Sequence, residues 1–513
     1  MTKEKENSNT VSDRKSTKER YTSYHIFYFA FKWKIAGSKH RDFSDETDMS
    51  QIRINPDNVW KRVIEAEGED AVNLYNEKNY FYPFVHKVLY DTGEKENLIM
   101  HFEHQYPQRS DVRYRIKVKN REQPYDLKVD AINLNIYTTG VGFLSFYLGN
   151  EKDSGQDKPS DILNINQYGR RIMPPFFADI VNRTETAEYI ELSGMETLLC
   201  ETFNYTIKDT WKSASFINHL ISQLSPNLDF SPLIDDRMFV QTWYINNDHC
   251  EKFSGNLNSY LTGSIDYLPY VVNGYNNFWY RFLFIDGESC TCQNDEMRLA
   301  LLKKSTYPRW ENWGSLYGVT RYSMVFLAGD GAPDFLFTTF ENIYARMVEL
   351  VLIQRASMLR FSEEVTQVSH LSHKEIDIIS KRISSLYKEY IHFVNQIYFR
   401  EVTAQDQGIE LYDLLQQNLR MEEYVKDLDG EIEELHQYVG LMDDRDRNKK
   451  ATQLNYLAAF FLPVSIVIGM WGMGDKLWFL EGKDGWLLQV TSLFLAVLFG
   501  LSLCVIVNRK RRL

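Results

Sequence analysis

The stretch ATQLNYLAAFFLPVSIVIGMWGMG, residues 451–474, contains 24 residues and no charged side chain. A second uncharged run of 24 residues, 485–508, follows after a separation of ten residues. As α-helices both runs would be about 36 Å long, which is enough to cross the roughly 30 Å hydrocarbon core of a bilayer. We therefore predict two membrane spans, 454–474 and 485–508, joined by an outer loop over 475–484. Burial of both runs in the core of a soluble protein is the alternative.

The charges around these runs predict an orientation. Four basic residues lie within 445–450 and four more within the tail 509–513, whereas the loop carries two lysines against three acidic residues. Positively charged flanks stay on the cytoplasmic side of a membrane. We expect a multi-pass protein of a bacterial inner membrane with both termini in the cytoplasm.

Residues 407–453 predict a long stalk helix, because Pro463 is the only proline between 407 and 473 and it lies inside the apolar run. Steps of three and four residues give a stripe that is apolar except for Asn418. Its members are Leu411, Leu414, Asn418, Met421, Val425, Leu428, Ile432, Leu435, Val439 and Met442. This heptad pattern predicts bundling with copies of the chain, with Asn418 as a register residue or an inward polar ring. Packing against the chain's own domain is the alternative.

The stripe continues at helical spacing into the first apolar run. The face it reaches has smaller side chains: Leu454, Ala458, Leu462, Ser465, Gly469 and Gly472. Small residues allow helices to approach closely. The sharper hypothesis is a pore lining that ends at Met473, Gly474 and Asp475. Since two helices of one subunit cannot enclose a pore, this hypothesis requires a homo-oligomer in the lipid bilayer.

Residues 461–474 resemble the end of the first membrane helix in the CorA family of two-helix metal-ion transporters. The resemblance implies a cytosolic α/β domain, a stalk helix that continues into the pore, and a pentamer, with a tetramer as a further option. The family signature is Gly-Met-Asn, and Gly474 stands where it has asparagine. Because Asp475 follows and a carboxylate ring attracts cations, Mg²⁺ or another cation could permeate.

Upstream, 21–335 predicts an α/β (α+β) ligand-sensing domain, followed by antiparallel helices over 336–406. The polar residues 1–20 predict a disordered tail. Apolar and aromatic runs predict strands at 24–31, 112–118, 125–137, 141–148, 238–245, 278–285 and 322–327, and helices at 214–224 and 299–304. The link Thr138-Thr139-Gly140 is typical of a hairpin turn.

Two short clusters could bind an anionic or nucleotide-like ligand. One is Arg170-Arg171 beside a glycine, where forked guanidinium groups suit phosphate. The other is Asp235-Asp236-Arg237, whose carboxylates could hold ribose hydroxyls or an amine. Surface salt bridges are the alternative for both. Arg321, in an aromatic stretch, could help to stack a base, although such stretches are more often core.

Composition excludes several classes. A net charge of −12 argues against bulk nucleic-acid binding, and five scattered cysteines predict neither a disulfide framework nor a zinc site. The sequence has no Walker A loop, no Gly-x-Ser-x-Gly and no His-Glu-x-x-His, so we expect no enzyme and no bound metal.

The chain is also similar in layout to a CorA-like subgroup encoded with type III CRISPR systems. That resemblance implies a channel gated by a nucleotide second messenger, an AMP conjugate of S-adenosylmethionine (SAM-AMP), which disrupts the membrane in antiviral defence. The alternative is a divalent-cation (Mg²⁺) transporter gated by the ion itself. An anchored enzyme or scaffold without a pore is the third hypothesis.

Overall fold

A 15-residue strand, YTSYHIFYFAFKWKI, is the central element of a computed structural model of the chain. The structure describes residues 20–37, 47–56, 59–64, 71–94, 97–119, 121–172, 186–203, 213–234, 237–254, 276–287, 289–369, 376–472 and 485–509. The chain divides into two compact units. The first is Met1–His370 with Ser385–Glu431, and the second is Leu371–Ser384 with Ile432–Leu513.

The first unit contains a mixed sheet in which thirteen strands are described. They are β1 Tyr21–Ile35, β2 Trp60–Arg62, β3 Ile99–His104, β4 Arg113–Lys117, β5 Tyr125–Tyr137, β6 Val141–Glu151, β7 Tyr189–Ser193, β8 Leu199–Thr202, β9 Leu228–Pro232, β10 Phe239–Ile245, β11 Thr306–Tyr307, β12 Leu316–Val319 and β13 Ser323–Ala328. The order is β11-β12-β13-β10-β1-β6-β5-β4-β7-β8, with β2 and β3 beside β5 and with β9 beside β1. β10 pairs with β13 in parallel, so a crossover separates them in the chain.

Fourteen α-helices are described over the two units. They are α1 Ala71–Tyr80, α2 His86–Leu89, α3 Tyr106–Arg109, α4 Pro159–Gly169, α5 Ser215–Leu224, α6 Asn247–Ser254, α7 Asn276–Phe284, α8 Asp295–Ser305, α9 Asp334–Thr338, α10 Ala345–Ser369, α11 Ile376–Gln396, α12 Asp406–Leu419, α13 Met421–Gly472 and α14 Gly485–Arg509. Short 3-10 turns lie at Met49–Gln51, Pro83–Val85 and Glu311–Trp313, and a π-helix, Thr339–Tyr344, joins α9 to α10.

β1 is buried on both faces, which explains why it is almost continuously apolar. On one face Phe27 belongs to a core that also contains Ile162 of α4 and Phe216 of α5. On the other face Tyr28 donates hydrogen bonds to Gln241 and to the carbonyl of Ala345 at the start of α10. Helices therefore cover both faces of a large sheet, and the predicted mixed α/β class is confirmed.

The predicted hairpin is also confirmed. β5 ends at Tyr137, β6 begins at Val141, and Gly140 adopts a positive φ of 71° between them. A residue with a side chain would be strained in that conformation. The strand predicted at 278–285 is wrong, because the segment forms α7. Its buried residues Trp279, Phe282 and Leu283 are spaced as on one face of a helix.

The stalk predicted as one helix is interrupted. α12 ends at Leu419 and α13 begins at Met421, because Arg420 adopts a left-handed conformation with φ 56° and ψ 38°. The Arg420 N–H caps α12 by donating to the carbonyls of Gln416 and Gln417. No glycine or proline marks this position, so the sequence pattern did not indicate the break.

Over 411–428 the heptad stripe is buried or half-buried in the single chain. Leu411, Met421 and Leu428 are almost fully buried in the single chain. Asn418 is 8% exposed, and its side-chain amide donates to the carbonyl of Leu414 at 3.0 Å. Packing against the same chain therefore accounts for this part of the pattern, and the pattern alone does not indicate an oligomer.

In the second unit, one described helix segment, Arg447–Gly469 of α13, is long and apolar enough to cross a membrane. The apolar part of α14, Val490–Ser502, is shorter than such a span, so of the two predicted spans the described residues bear out one. Gly500 lies against the backbone of Phe460, where an added Cβ atom would be 3.1 Å from the carbonyl oxygen. Ala496, one turn earlier, is buried as well. Small residues thus allow α14 to approach α13 closely.

Candidate anion site

Arg170 and Arg171 directly follow α4, and both are nearly buried, with 2% and 7% exposure. The end of α4 is fixed because Tyr114 donates a hydrogen bond to the carbonyl of Gly169 at 2.8 Å. Gly169 also fits close to Phe27, where an added Cβ atom would collide with the ring. The sheet thus holds the two arginines in place.

Arg237 lies beside this pair. Arg171 and Arg237 form an isolated antiparallel β-bridge, and the N–H of Met238 donates to the carbonyl of Arg170 at 2.8 Å. The two clusters that the sequence presents separately are therefore parts of one place in the fold. Asp235 and Asp236, predicted at the same site, lie outside the described residues.

Tyr322 is the centre of the group. The guanidinium of Arg237 is 5.0 Å from the centroid of the Tyr322 ring, and that of Arg170 is 5.6 Å from it. These distances are typical of cation–π contacts. Tyr322 lies beside these arginines because it directly precedes β13, which pairs with β10. The N–H of Val240 donates to the Tyr322 carbonyl at 2.9 Å.

Two further arginines complete the group. Arg237, Arg321, Tyr322 and Arg355 line a common cavity. The side chain of Arg355 on α10 donates to the carbonyl of Arg321 at 3.2 Å. We call this group of residues the arginine cleft: Arg170, Arg171, Arg237, Arg321, Tyr322 and Arg355. Of the described residues that line the cavity, none is acidic.

The chemistry of the arginine cleft favours an anion. Guanidinium groups carry a permanent charge and present several N–H donors in a fixed plane, which matches the oxygens of a phosphoryl group. The cavity has about 20 Å³ of room, which is space for a single water molecule. A phosphoryl group would therefore enter only if an exposed side chain such as Arg321 moved aside.

Some residues of the arginine cleft are predictable from the sequence and others are not. Arg321 was singled out within an aromatic stretch, but Tyr317 of that stretch is buried and stacks on Phe326 with centroids 3.9 Å apart. Tyr322 and Arg355 were missed. They come from segments far apart in the chain, and no local pattern signals that a parallel strand pair and α10 bring them together.

The predicted pore residues lie elsewhere. Asn418 belongs to the first unit, as described above. Leu454, Ala458, Leu462, Ser465 and Gly469 are exposed in the single chain, and they lie on α13 in the second unit with Gly472. The hydroxyl of Ser465 donates to the carbonyl of Phe461 in its own helix. Met473, Gly474 and Asp475 lie outside the described residues.

Within the described part of the chain, no three histidine, cysteine or acidic side chains are grouped as metal ligands would be. In comparisons with known proteins, no family model, no curated protein and no solved structure matches this chain.

Proposed function

We propose that this protein is a homo-oligomeric membrane channel, gated by an anionic, nucleotide-like second messenger that binds the arginine cleft. The observation that carries the proposal is a group of arginines around Tyr322. The guanidinium groups of Arg170 and Arg237 lie near its ring, and Arg237, Arg321 and Arg355 line a cavity with no acidic residue among its described lining. Guanidinium groups keep their charge and offer several N–H donors in one plane, which suits the oxygens of an anionic ligand.

The second unit supports the membrane part of the proposal. Arg447–Gly469 satisfies the length and composition of a span. We expect α14 to be the second span, because Gly500 packs against Phe460 of α13 and Ala496, one turn earlier, is also buried. The apolar side chains that both helices expose, such as Leu462 and Phe494, would then face lipid or neighbouring subunits.

The ligand is expected to combine a phosphoryl group with a flat ring. Arginines would bind the phosphoryl oxygens, and the Tyr322 ring or a guanidinium plane would stack on the base. The resemblance to the CRISPR-associated CorA-like subgroup makes SAM-AMP the first messenger to test, in a role of membrane disruption during antiviral defence.

Ion flux from liposomes that contain the full-length protein tests this function. Flux should rise when SAM-AMP is added and should not rise with adenosine or inorganic phosphate alone. Arg237→Gln should raise the half-maximal messenger concentration about 10-fold or more, since a charge-assisted hydrogen bond is lost. Arg53→Gln, which changes an exposed arginine of the same unit outside the cleft, is the matched control.

Three results would contradict the proposal. Ion flux that does not change with any nucleotide would show that the first unit is not a nucleotide sensor. Flux that responds only to withdrawal of Mg²⁺ would favour the ion-gated transporter. A monomeric protein in detergent and in bilayers would exclude a pore formed by several copies.

A further inference from the structure

The first unit contains a second and much larger cavity, with about 1060 Å³ of room. One wall is the 385–397 part of the chain, which includes the end of α11, and the opposite walls come from loops beside β3 and from the β5–β6 turn. We call it the α11 cavity. It shares no lining residue with the arginine cleft, and its volume suits a small organic ligand.

Two acceptor oxygens on its lining residues have no donor in the described chain. Asn97 is 7% exposed, and its side-chain N–H groups donate to Asp91 at 2.6 Å and to the carbonyl of Ile99 at 2.5 Å. These two bonds fix the amide, and its Oδ1 atom is left buried without a partner. Glu389 accepts from Arg360 at 3.0 Å through Oε2, while its Oε1 atom is also buried and without a partner.

Glu389 shares the guanidinium of Arg360 with a second carboxylate. Arg360 donates to Glu389 at 3.0 Å and lies 3.8 Å from Glu364. A buried acceptor such as Glu389 Oε1 is unfavourable unless an N–H or O–H group reaches it, and a cationic donor forms a stronger hydrogen bond to a carboxylate than a neutral one. An ammonium group provides both.

Other lining residues present the opposite charge. Lys87 and Lys388 line the same cavity, and both are exposed. In the described part of the chain neither ammonium group has an acidic partner. Apolar surface completes the cavity: Phe393 is buried, and Phe84 is 59% exposed beside Phe399, with ring centroids 5.5 Å apart.

We propose that the α11 cavity binds a small zwitterion, an amino acid or short peptide with an apolar side chain. Its ammonium group would donate to Asn97 Oδ1 and Glu389 Oε1, its carboxylate would meet Lys87 and Lys388, and its side chain would lie against the phenylalanines. This site is separate from the arginine cleft and does not depend on the proposed channel function.

Isothermal titration of the full-length protein in detergent tests the proposal with probes that carry one end or both. L-phenylalanine and L-phenylalanyl-L-phenylalanine have both charged ends, 2-phenylethylamine lacks the carboxylate, and 3-phenylpropionate lacks the ammonium. At least one zwitterion should bind about 10-fold more tightly than either single-ended probe, since each end adds a charge-assisted contact.

The variants assign the two ends. Glu389→Gln should weaken the binding of the zwitterion and of 2-phenylethylamine but not of 3-phenylpropionate. Lys388→Met should weaken the binding of the zwitterion and of 3-phenylpropionate but not of 2-phenylethylamine. Lys381→Met, an exposed lysine of the same helix that does not line the cavity, should change nothing. Arg237→Gln in the arginine cleft should also leave this binding intact, so failure of this proposal and failure of the channel proposal are distinguishable.

The proposal is overturned if neither zwitterion binds, or if both variants weaken the binding of all probes equally. Glu389→Gln could disturb the Arg360 ion pairs, so its melting temperature is measured beside the titration. Lys388→Met changes an exposed side chain that forms no ion pair in the described part of the chain. Its selective effect on carboxylate probes tests the site even if the first variant unfolds.

Discussion

Arg321 donates a hydrogen bond from Nη2 to the hydroxyl of Tyr424 at 3.1 Å, which connects the arginine cleft to the first turn of α13. Tyr424 also lies beside the guanidinium of Arg420, 5.9 Å from the ring centroid, next to the break between α12 and α13. A ligand that moves Arg321 aside as it enters the cleft would break the bond between Arg321 and Tyr424. Since α13 also contains the apolar segment, this contact is the expected link between binding and gating.

Tyr424→Phe tests that link. The substitution removes the acceptor for Arg321 and keeps the ring, so the ligand no longer competes with a bond worth about 1 kcal/mol. The half-maximal messenger concentration for flux should fall about 3- to 5-fold. Tyr438→Phe, which changes an exposed tyrosine on the same helix, should have no effect. An unchanged or higher half-maximal concentration for Tyr424→Phe would disprove the coupling.

Salt dependence tests the arginine cleft as an electrostatic site. Messenger binding by the unaltered protein should weaken as ionic strength rises, because added ions screen exposed and half-buried guanidinium charges. Arg237→Gln should bind more weakly at low salt and should lose part of this salt dependence. Titration calorimetry at two salt concentrations measures both effects. Equal slopes for the variant and the unaltered protein would mean that Arg237 does not meet the anion.

The sheet and the apolar runs could be predicted from sequence because their signals are local. β1, β5 and β6 show continuous or alternating apolar residues, and Gly140 marks their turn. The arginine cleft could be predicted only in pieces. Arg170 and Arg237 have local motifs, but their meeting depends on a β-bridge and on the parallel pairing of β10 with β13. Such non-local pairings leave no mark within a short window of sequence.

The stripe at 411–442 shows the limit of periodicity in another way. Heptad spacing identifies a narrow buried face but not what covers it. Over 411–428 this face is buried or half-buried in the single chain, and Tyr390 donates a hydrogen bond to the carbonyl of Val425. The break at Arg420 was invisible because arginine rarely adopts a left-handed conformation.

Glu341 predicts a pH dependence of stability. It lies in the π-helix and accepts a hydrogen bond from Tyr24, and burial, followed by the charge of Asp130, raises its pKa to about 7. An acid whose pKa is higher in the folded state contributes its full stabilisation when the pH is below its ordinary pKa of 4.5. This stabilisation is lost as the pH rises through about 7.

Urea denaturation at pH 5 and pH 8 measures this effect. The free energy of unfolding of the first unit within the full chain should fall by on the order of 2 kcal/mol between pH 5 and pH 8. This is less than the full pKa shift implies, because solvent reaches part of the side chain. Glu341→Gln should remove most of the difference, whereas Glu296→Gln on the exposed face of α8 should retain it. The same pH difference in both variants would contradict the assignment.

Substitutions at two glycines of the apolar helices test helix packing and ion conduction separately. Gly500 lies against Phe460 with no room for a side chain, whereas Gly469 has open space around it. Gly500→Val should therefore weaken the contact between α13 and α14 and lower the melting temperature of the protein in detergent. Gly469→Val should leave that temperature unchanged, yet it should reduce ion flux several-fold if this face lines a pore, because added methyl groups narrow the path.

The ion flux of Gly469→Val and the melting temperature of Gly500→Val can each contradict the assignment of that glycine. If Gly469 faces lipid, the valine variant should conduct like the unaltered protein, and the pore lining must then lie on another face of α13. If Gly500→Val melts like the unaltered protein, the close approach of the two helices does not hold them together. Single-channel conductance and thermal melting of the same preparations decide both questions, since the first reads the open path and the second reads the helix contact.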